Sequence, residues 1–164
     1  MSRIICNTGP LIALGILARL DILKCLFDEV LVPEAVQKEI EQGGMKLLGL
    51  ADFRRADWIR IVPLKERRDE LLESLLDVGE AAVISLAREQ KVALVLIDER
   101  KARKVARDIY GLQPIGTARL LVEAKRENLL PDIASQFQKL QQDGYWIHDS
   151  IVRTALREAG EDLS

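Results

Sequence analysis

The six residues Val92–Ile97, VALVLI, are continuously apolar and run straight into the acid Asp98. A run of this kind marks a strand buried on both faces, and such strands belong to parallel sheets covered by helices on both sides. IICNTGPLI, residues 4–12, repeats the arrangement near the start of the chain. A short buried strand over residues 3–6 stops at the polar Asn7, and Pro10 can begin the helix that follows. Both strands therefore deliver a polar side chain to one end of a sheet.

The rest of the chain alternates in the same way. A second helix is expected around Leu17–Phe27, and Val30–Val32 reads as a strand stopped by Pro33. Glu34–Gln42 continues with helical spacing until Gly43-Gly44, and Met45–Arg55 reads as helical. WIRIV, residues 58–62, is a short strand ended by Pro63. Lys65–Leu76 is a charged surface helix with leucines at 71, 72, 75 and 76, and Val78–Gln90 is another helix. Glu99–Tyr110 is a basic helix ended by Gly111, LQPI is a last strand, and Thr117–Glu127 is a helix. Two more helices, near Asp132–Gln142 and Asp149–Ala159, complete the chain from about residue 132. Strands alternating with helices predict an α/β domain with a parallel sheet, its ligand crevice outside the carboxyl ends of the strands.

Length and composition bound the function. With 164 residues and no repeat, low-complexity tract or linker, residues 1–164 make a single domain. The net charge of −2 makes the whole molecule no magnet for nucleic acid, so any polyanion site must come from local clustering of Lys and Arg. Cys6 and Cys25 sit in apolar segments, His148 is the one histidine, and no Cys/His spacing suits zinc or a disulfide framework. There is no leader-like N-terminus and no apolar run reaching the ~18 residues of a span, so a cytoplasmic protein is expected, with no membrane partner.

Two more acids lie on helix faces that otherwise point inward. Glu39 follows Val36 by three residues on the edge of an apolar stripe, and Glu80 opens a stripe continued by Val83, Ile84 and Ala87. A carboxylate facing a core is costly unless it is paired or binds a cation. Acids converging at the strand ends would suit Mg²⁺ or Mn²⁺, which prefer oxygen ligands. Each also has a plainer role: Asp77 and Glu80 fit a capping box, Asp98 and Asn7 fit helix N-caps, and Glu39 fits an ion pair.

Arg100, Arg103, Lys104 and Arg107 follow i, i+3, i+4, i+7 and begin two residues after Asp98, a stripe able to steer a phosphate backbone. Ala102, Val105, Ala106 and Ile109 form the opposite, apolar side. A solvated outer face balanced by Glu99 and Asp108 is the plainer alternative. His148 reads as a satisfied structural histidine, and Trp58 and Trp146 as too isolated for a base-stacking platform.

These residues carry a family resemblance. The segments NTGPLIALGILARLDILKCLF, EVLVPEAVQKEI, LDVGEAAVISLAREQ, LVLIDERKARKVA and GLQPIGTARLLVEAKRENLLP resemble the PIN-domain family, in the family's order and over most of residues 4–131. They most resemble its small prokaryotic members, which are taken to bind nucleic acid. The resemblance implies a three-layer α/β/α domain around a mainly parallel sheet of four or five strands, with a carboxylate cluster binding Mg²⁺ or Mn²⁺. It places the family's acids at Asn7, Glu39, Glu80 and Asp98, with Thr8 in the hydroxyl position after the first. The third position is more often Asp than Glu. Asn7 is the larger departure, since an amide oxygen can ligate a hard cation but brings no charge. It fits a degenerate enzyme, a natural variant of reduced activity, or an inactivating substitution.

The function expected is a metal-dependent ribonuclease, with the toxin role of a type II toxin–antitoxin pair among the family's options. Asn7, Glu80 and Asp98 would be ligands, Glu39 would act through water, and Thr8, Arg100, Arg103, Lys104 and Arg107 would contact RNA. An antitoxin protein and a homodimer are partners by analogy. The alternative is a catalytically impaired module that binds nucleic acid or a protein without cleaving.

Overall fold

A computed structural model describes residues 2–44, 47–66 and 69–161. Its central feature is a five-stranded sheet in which every neighbouring pair is parallel. The strands are β1 (Arg3–Cys6), β2 (Glu29–Pro33), β3 (Ile59–Val62), β4 (Leu94–Leu96) and β5 (Gln113–Ile115). They lie in the order β3-β2-β1-β4-β5. Between and after them run α1 (Thr8–Ile16), α2 (Asp21–Leu26), α3 (Glu34–Glu39), α4 (Leu47–Arg55), α5 (Glu70–Leu75) and α6 (Val78–Gln90). Then follow α7 (Arg100–Asp108), α8 (Thr117–Arg126), α9 (Ala134–Gln142) and α10 (Asp149–Glu158). Nearly every residue of β1 and β2 is buried whichever way its side chain points, so helices cover both faces and the layers are α/β/α.

The strand order has a functional consequence. The chain builds outward from β1 through β2 to β3, then returns to add β4 and β5 on the other side of β1. The direction of winding reverses between β1 and β4, and a crevice opens outside the carboxyl ends of two such strands. Ile5 pairs with Leu31 on one side and Val95 on the other, so β1 lies at the centre of the core.

Several boundaries differ from the sequence expectation. Helix α1 begins at Thr8, with Pro10 inside its first turn, where the missing N–H costs nothing. The helix expected over 17–27 is only α2, because Ala18 takes a left-handed conformation (φ 54°) that breaks the chain between α1 and α2. The run 92–97 contributes a shorter strand, since the Val92 N–H closes the end of α6 on the Ala87 carbonyl. The Ile97 N–H still bonds the Ile115 carbonyl, extending the ladder to the edge of the site.

Helix α3 passes into a π-type turn over Ile40–Gly44, where Gly43 has a φ of 112°. The helix expected over 65–76 is α5 alone, capped by the Asp69 carboxylate, which accepts from the Leu71 and Leu72 N–H groups. Its leucine stripe is only partly inward: Leu72 is fully buried and Leu71 is exposed. Ile109 is also exposed rather than part of the apolar side of α7, because it lies past that helix's last turn. Residues 45–46 of one expected helix, residues 67–68 of another and residues 162–164 of the domain lie outside the described residues. Both cysteines are free, Cys6 buried and Cys25 exposed. Among the described residues no helix is long and apolar enough to cross a membrane.

Leu96 is fully buried in β4 between β1 and β5. Leu96→Ala should cost about 2–5 kcal/mol through lost burial and the cavity left behind. Leu71→Ala, at a position 52 % exposed, should stay within about 0.5 kcal/mol. Urea unfolding of both variants checks this, the midpoint moving only for the first.

Candidate functional site

Asn7 follows β1 directly, and its backbone N–H donates to the Leu96 carbonyl at 3.0 Å, so it sits at the β1–β4 reversal. It holds the N-cap position of α1 in extended conformation, yet its side chain makes no capping hydrogen bond. Only 8 % of the residue is exposed. Its amide oxygen Oδ1 is buried with no hydrogen-bond partner among the described residues. Leaving such an acceptor unsatisfied costs about 1–3 kcal/mol, so the fold holds Asn7 at a local expense.

Asp98 lies two residues past β4 and is firmly held. Its Oδ1 accepts from the Thr117 backbone N–H at 2.7 Å, and its Oδ2 accepts from the Thr117 hydroxyl at 2.6 Å and from the Tyr145 hydroxyl. Thr117 is fully buried at the start of α8, where free N–H groups favour a carboxylate. Gly116 precedes it for a steric reason: a Cβ there would stand 3.0 Å from both Asp98 Oδ1 and Arg103 Nη1. Burial, reinforced by the Asp98 charge, pushes the Tyr145 phenol above its usual range, so it remains a hydroxyl donor.

Glu39 and Glu80 arrive from α3 and α6. The Thr8 hydroxyl donates to Glu39 Oε2 at 2.6 Å, which gives Thr8 a job in orienting Glu39. Gly79 leaves room for the Glu39 carboxyl group, which a Cβ there would force to move. Glu80 does form the capping box, its N–H donating to Asp77 Oδ1 at 2.8 Å and its Oε1 accepting from the Asp77 N–H at 3.2 Å. Capping is not its whole situation, because Glu80 is only 7 % exposed and borders the same space as Asp98. Burial, with the charges of Asp77 and Glu99 added, pushes its carboxyl up to about 7.

Asn7, Thr8, Glu39, Glu80 and Asp98 all line one cleft of about 970 Å³ at the carboxyl edge of the sheet. Arg100 and Arg103 of the basic helix border it as well, but Lys104 and Arg107 do not. The stripe expected to act as a unit is therefore divided. The first turn of α7 starts beside Asp98, while the later residues run on into solvent, where Arg107 pairs with Asp108 at 3.3 Å. Among the described residues, no three Asp, Glu, His or Cys side chains stand close enough together to form a ready-made metal cage.

His148 caps α10, its Nδ1 accepting from the Ser150 N–H at 3.1 Å, and is a satisfied histidine that also borders the cleft. Thr117 and Tyr145 were not among the residues singled out by sequence. For Thr117 a signal existed, because PIGT is a third strand end delivering a polar residue to the same edge. Tyr145 has none, as it reaches Asp98 across 47 residues of chain.

The sequence matches a family described as PIN domain over residues 3–161. The chain belongs to the PIN-domain family. No curated protein matches it closely enough to count as a relative. A PIN domain is a nuclease-like fold, and in this one the crevice at the β1–β4 reversal holds the acids described above.

The raised Glu80 value gives this PIN domain a distinctive pH dependence without metal. Below about pH 4.5 Glu80 is protonated folded or unfolded and contributes nothing. Between 4.5 and about 7 the unfolded chain loses the proton that the folded one keeps, so stability falls as pH rises. Glu80→Gln preserves the capping box, since Gln serves there as well as Glu. With divalent cations chelated, the variant should melt above the parent at pH 8, the gap closing toward pH 4.5. A gap that does not change with pH would locate the buried charge elsewhere.

Proposed function

We propose that this PIN domain is a ribonuclease dependent on Mg²⁺ or Mn²⁺, weakened at its first ligand position by Asn7. The observation carrying the proposal is that Asn7, whose buried Oδ1 has no hydrogen-bond partner among the described residues, lines the cleft together with Glu39, Glu80 and Asp98. The side chains of Asn7, Glu39, Glu80 and Asp98 offer oxygen ligands, which suits hard cations and disfavours softer metals. No cage exists ready-made among the described residues, so water would complete the coordination, as Mg²⁺ commonly requires. Glu80 and Asp98 would be the charged ligands and Asn7 a neutral third. A bound ion would supply an activated water and stabilise charge on the leaving oxygen of a phosphodiester.

The chain's own residues supply the rest. Thr117 and Tyr145 fix the Asp98 carboxylate before any ligand enters, and their three hydrogen bonds leave it about one of its four lone-pair directions. Glu80, its carboxyl pushed up to about 7 by burial, would give up its proton to act as a charged ligand for a cation. Thr8 holds one oxygen of Glu39 and leaves the other to orient a water. Arg100 and Arg103 border the cleft, where they can pair with the phosphates of RNA on a protein whose net charge is −2.

Two observations favour a second reading, a module that binds nucleic acid or a protein without cutting: the amide at Asn7 and the lack of a compact acid triad among the described residues. The toxin role, an antitoxin partner and a homodimer rest on the resemblance alone. A small DNA-binding protein encoded in the adjacent reading frame would support the first two.

Cleavage of RNA pools decides between the readings. The chain should cleave slowly with Mn²⁺ and not at all with chelator. Asn7→Asp should raise the rate about tenfold or more, within the range by which changes around a metal shift activity. Asp98→Asn should abolish it. No cleavage by either the parent or Asn7→Asp would select the binding module.

A further inference from the structure

An ionised carboxylate offers about four lone-pair directions, two on each oxygen. Oδ2 of Asp98 accepts from two hydroxyls, Thr117 at 2.6 Å and Tyr145, so both directions on that oxygen are taken. Oδ1 accepts one hydrogen bond among the described residues, from the Thr117 N–H at 2.7 Å. The direction that remains is therefore on Oδ1. A cation clasped by both oxygens needs one direction from each. Asp98 as it is held here can give a cation one oxygen only.

The hydroxyls that close Oδ2 are fixed by the fold. Thr117 is fully buried and reaches both carboxylate oxygens from the start of α8. Tyr145 is tied through its N–H to the Leu140 carbonyl at 2.8 Å, near the end of α9. Gly9, in the first turn of α1, keeps space for the phenol: a Cβ there would stand 3.1 Å from the Tyr145 hydroxyl oxygen. Three separate elements thus meet at one lone pair.

Hard divalent cations use carboxylates differently. Ca²⁺ gathers about six to eight oxygens in flexible geometry and readily takes both oxygens of one carboxylate. Mg²⁺ is smaller, demands a near-ideal octahedron and keeps several waters, and Mn²⁺ also suits six oxygens in an octahedron. The two oxygens of one carboxylate are too close together to fill two corners of such an octahedron without distortion. We infer that Tyr145, acting with Thr117, sets the cation selectivity of this site, closing Oδ2 so that Asp98 ligates through one oxygen and Ca²⁺ is disfavoured. The inference rests on the cation site of the proposed function and adds the residue that selects the ion. Tyr145 is a positioning residue, since it acts through Asp98.

Tyr145→Phe keeps the ring and removes the hydroxyl, which frees one direction on Oδ2. Calorimetric titration of Mn²⁺ and of Ca²⁺ into the parent and this variant, without RNA, reads the ratio of the two affinities. The parent should prefer Mn²⁺. Tyr145→Phe should shift the ratio toward Ca²⁺ about tenfold, the lower end of what changes in the partners of metal ligands produce. Loss of a merely structural tie would weaken both ions alike and leave the ratio unmoved. An unchanged ratio in Tyr145→Phe, or a parent that prefers Ca²⁺, would overturn the inference while leaving the metal site standing. Should Tyr145→Phe not fold, Thr117→Val, which keeps the backbone donor to Oδ1 and removes the other hydroxyl on Oδ2, decides by the same ratio. A parent that binds neither ion would overturn this inference and the metal-dependent reading together.

Discussion

Asp98 is bound at once by the start of α8, through the backbone and hydroxyl of Thr117, and by the C-terminal segment, through Tyr145. Without those donors a carboxylate beside the fully buried Ile97 would face a large desolvation cost. With them it becomes a fixed point, and two later parts of the chain are pinned to the end of β4. Tyr145, Trp146 and His148 line one side of the cleft, and the Tyr145 hydroxyl ties that segment to Asp98. The glycine at 116 keeps room for the carboxylate and for Arg103 together.

The other oxygens at this edge are less well satisfied. Glu80 is pushed toward neutrality by burial and by Asp77 and Glu99. Asn7 Oδ1 lacks a partner among the described residues. Local conflicts of this kind are expected where a fold keeps a site at the expense of stability. An amide at position 7 eases one of them, since it avoids adding a further charge near Glu80 and Asp98, and it does so by giving up charge that a divalent cation would use. On the proposed reading, the amide at position 7 therefore relaxes the fold and weakens cation binding together.

Much of this was legible in the sequence wherever burial dictated the pattern. The bounds of β1 follow from its apolar run, the positions of Asn7 and Asp98 from the ends of two buried strands, and the inward placement of Glu80 from helical spacing. Legibility failed where three-dimensional approach decides. Tyr145 meets Asp98 through a loop with no periodicity, and Gly79 matters only because the Glu39 carboxyl group lies against it. The basic stripe of α7 was legible as a stripe, but not that only its first turn reaches the cleft. Ala18 shows the same limit at a boundary, because an alanine gives no warning of a left-handed conformation.

The claim on which the functional account turns is that Asn7 occupies a ligand position and is not a helix cap. Titration calorimetry of Mn²⁺ into the parent and into Asn7→Asp tests it directly. Asp and Asn are comparable caps, so a capping role predicts equal affinities. A ligand role predicts at least about tenfold tighter Mn²⁺ binding by Asn7→Asp, a gain of about 1.4 kcal/mol. Equal affinities would contradict the account.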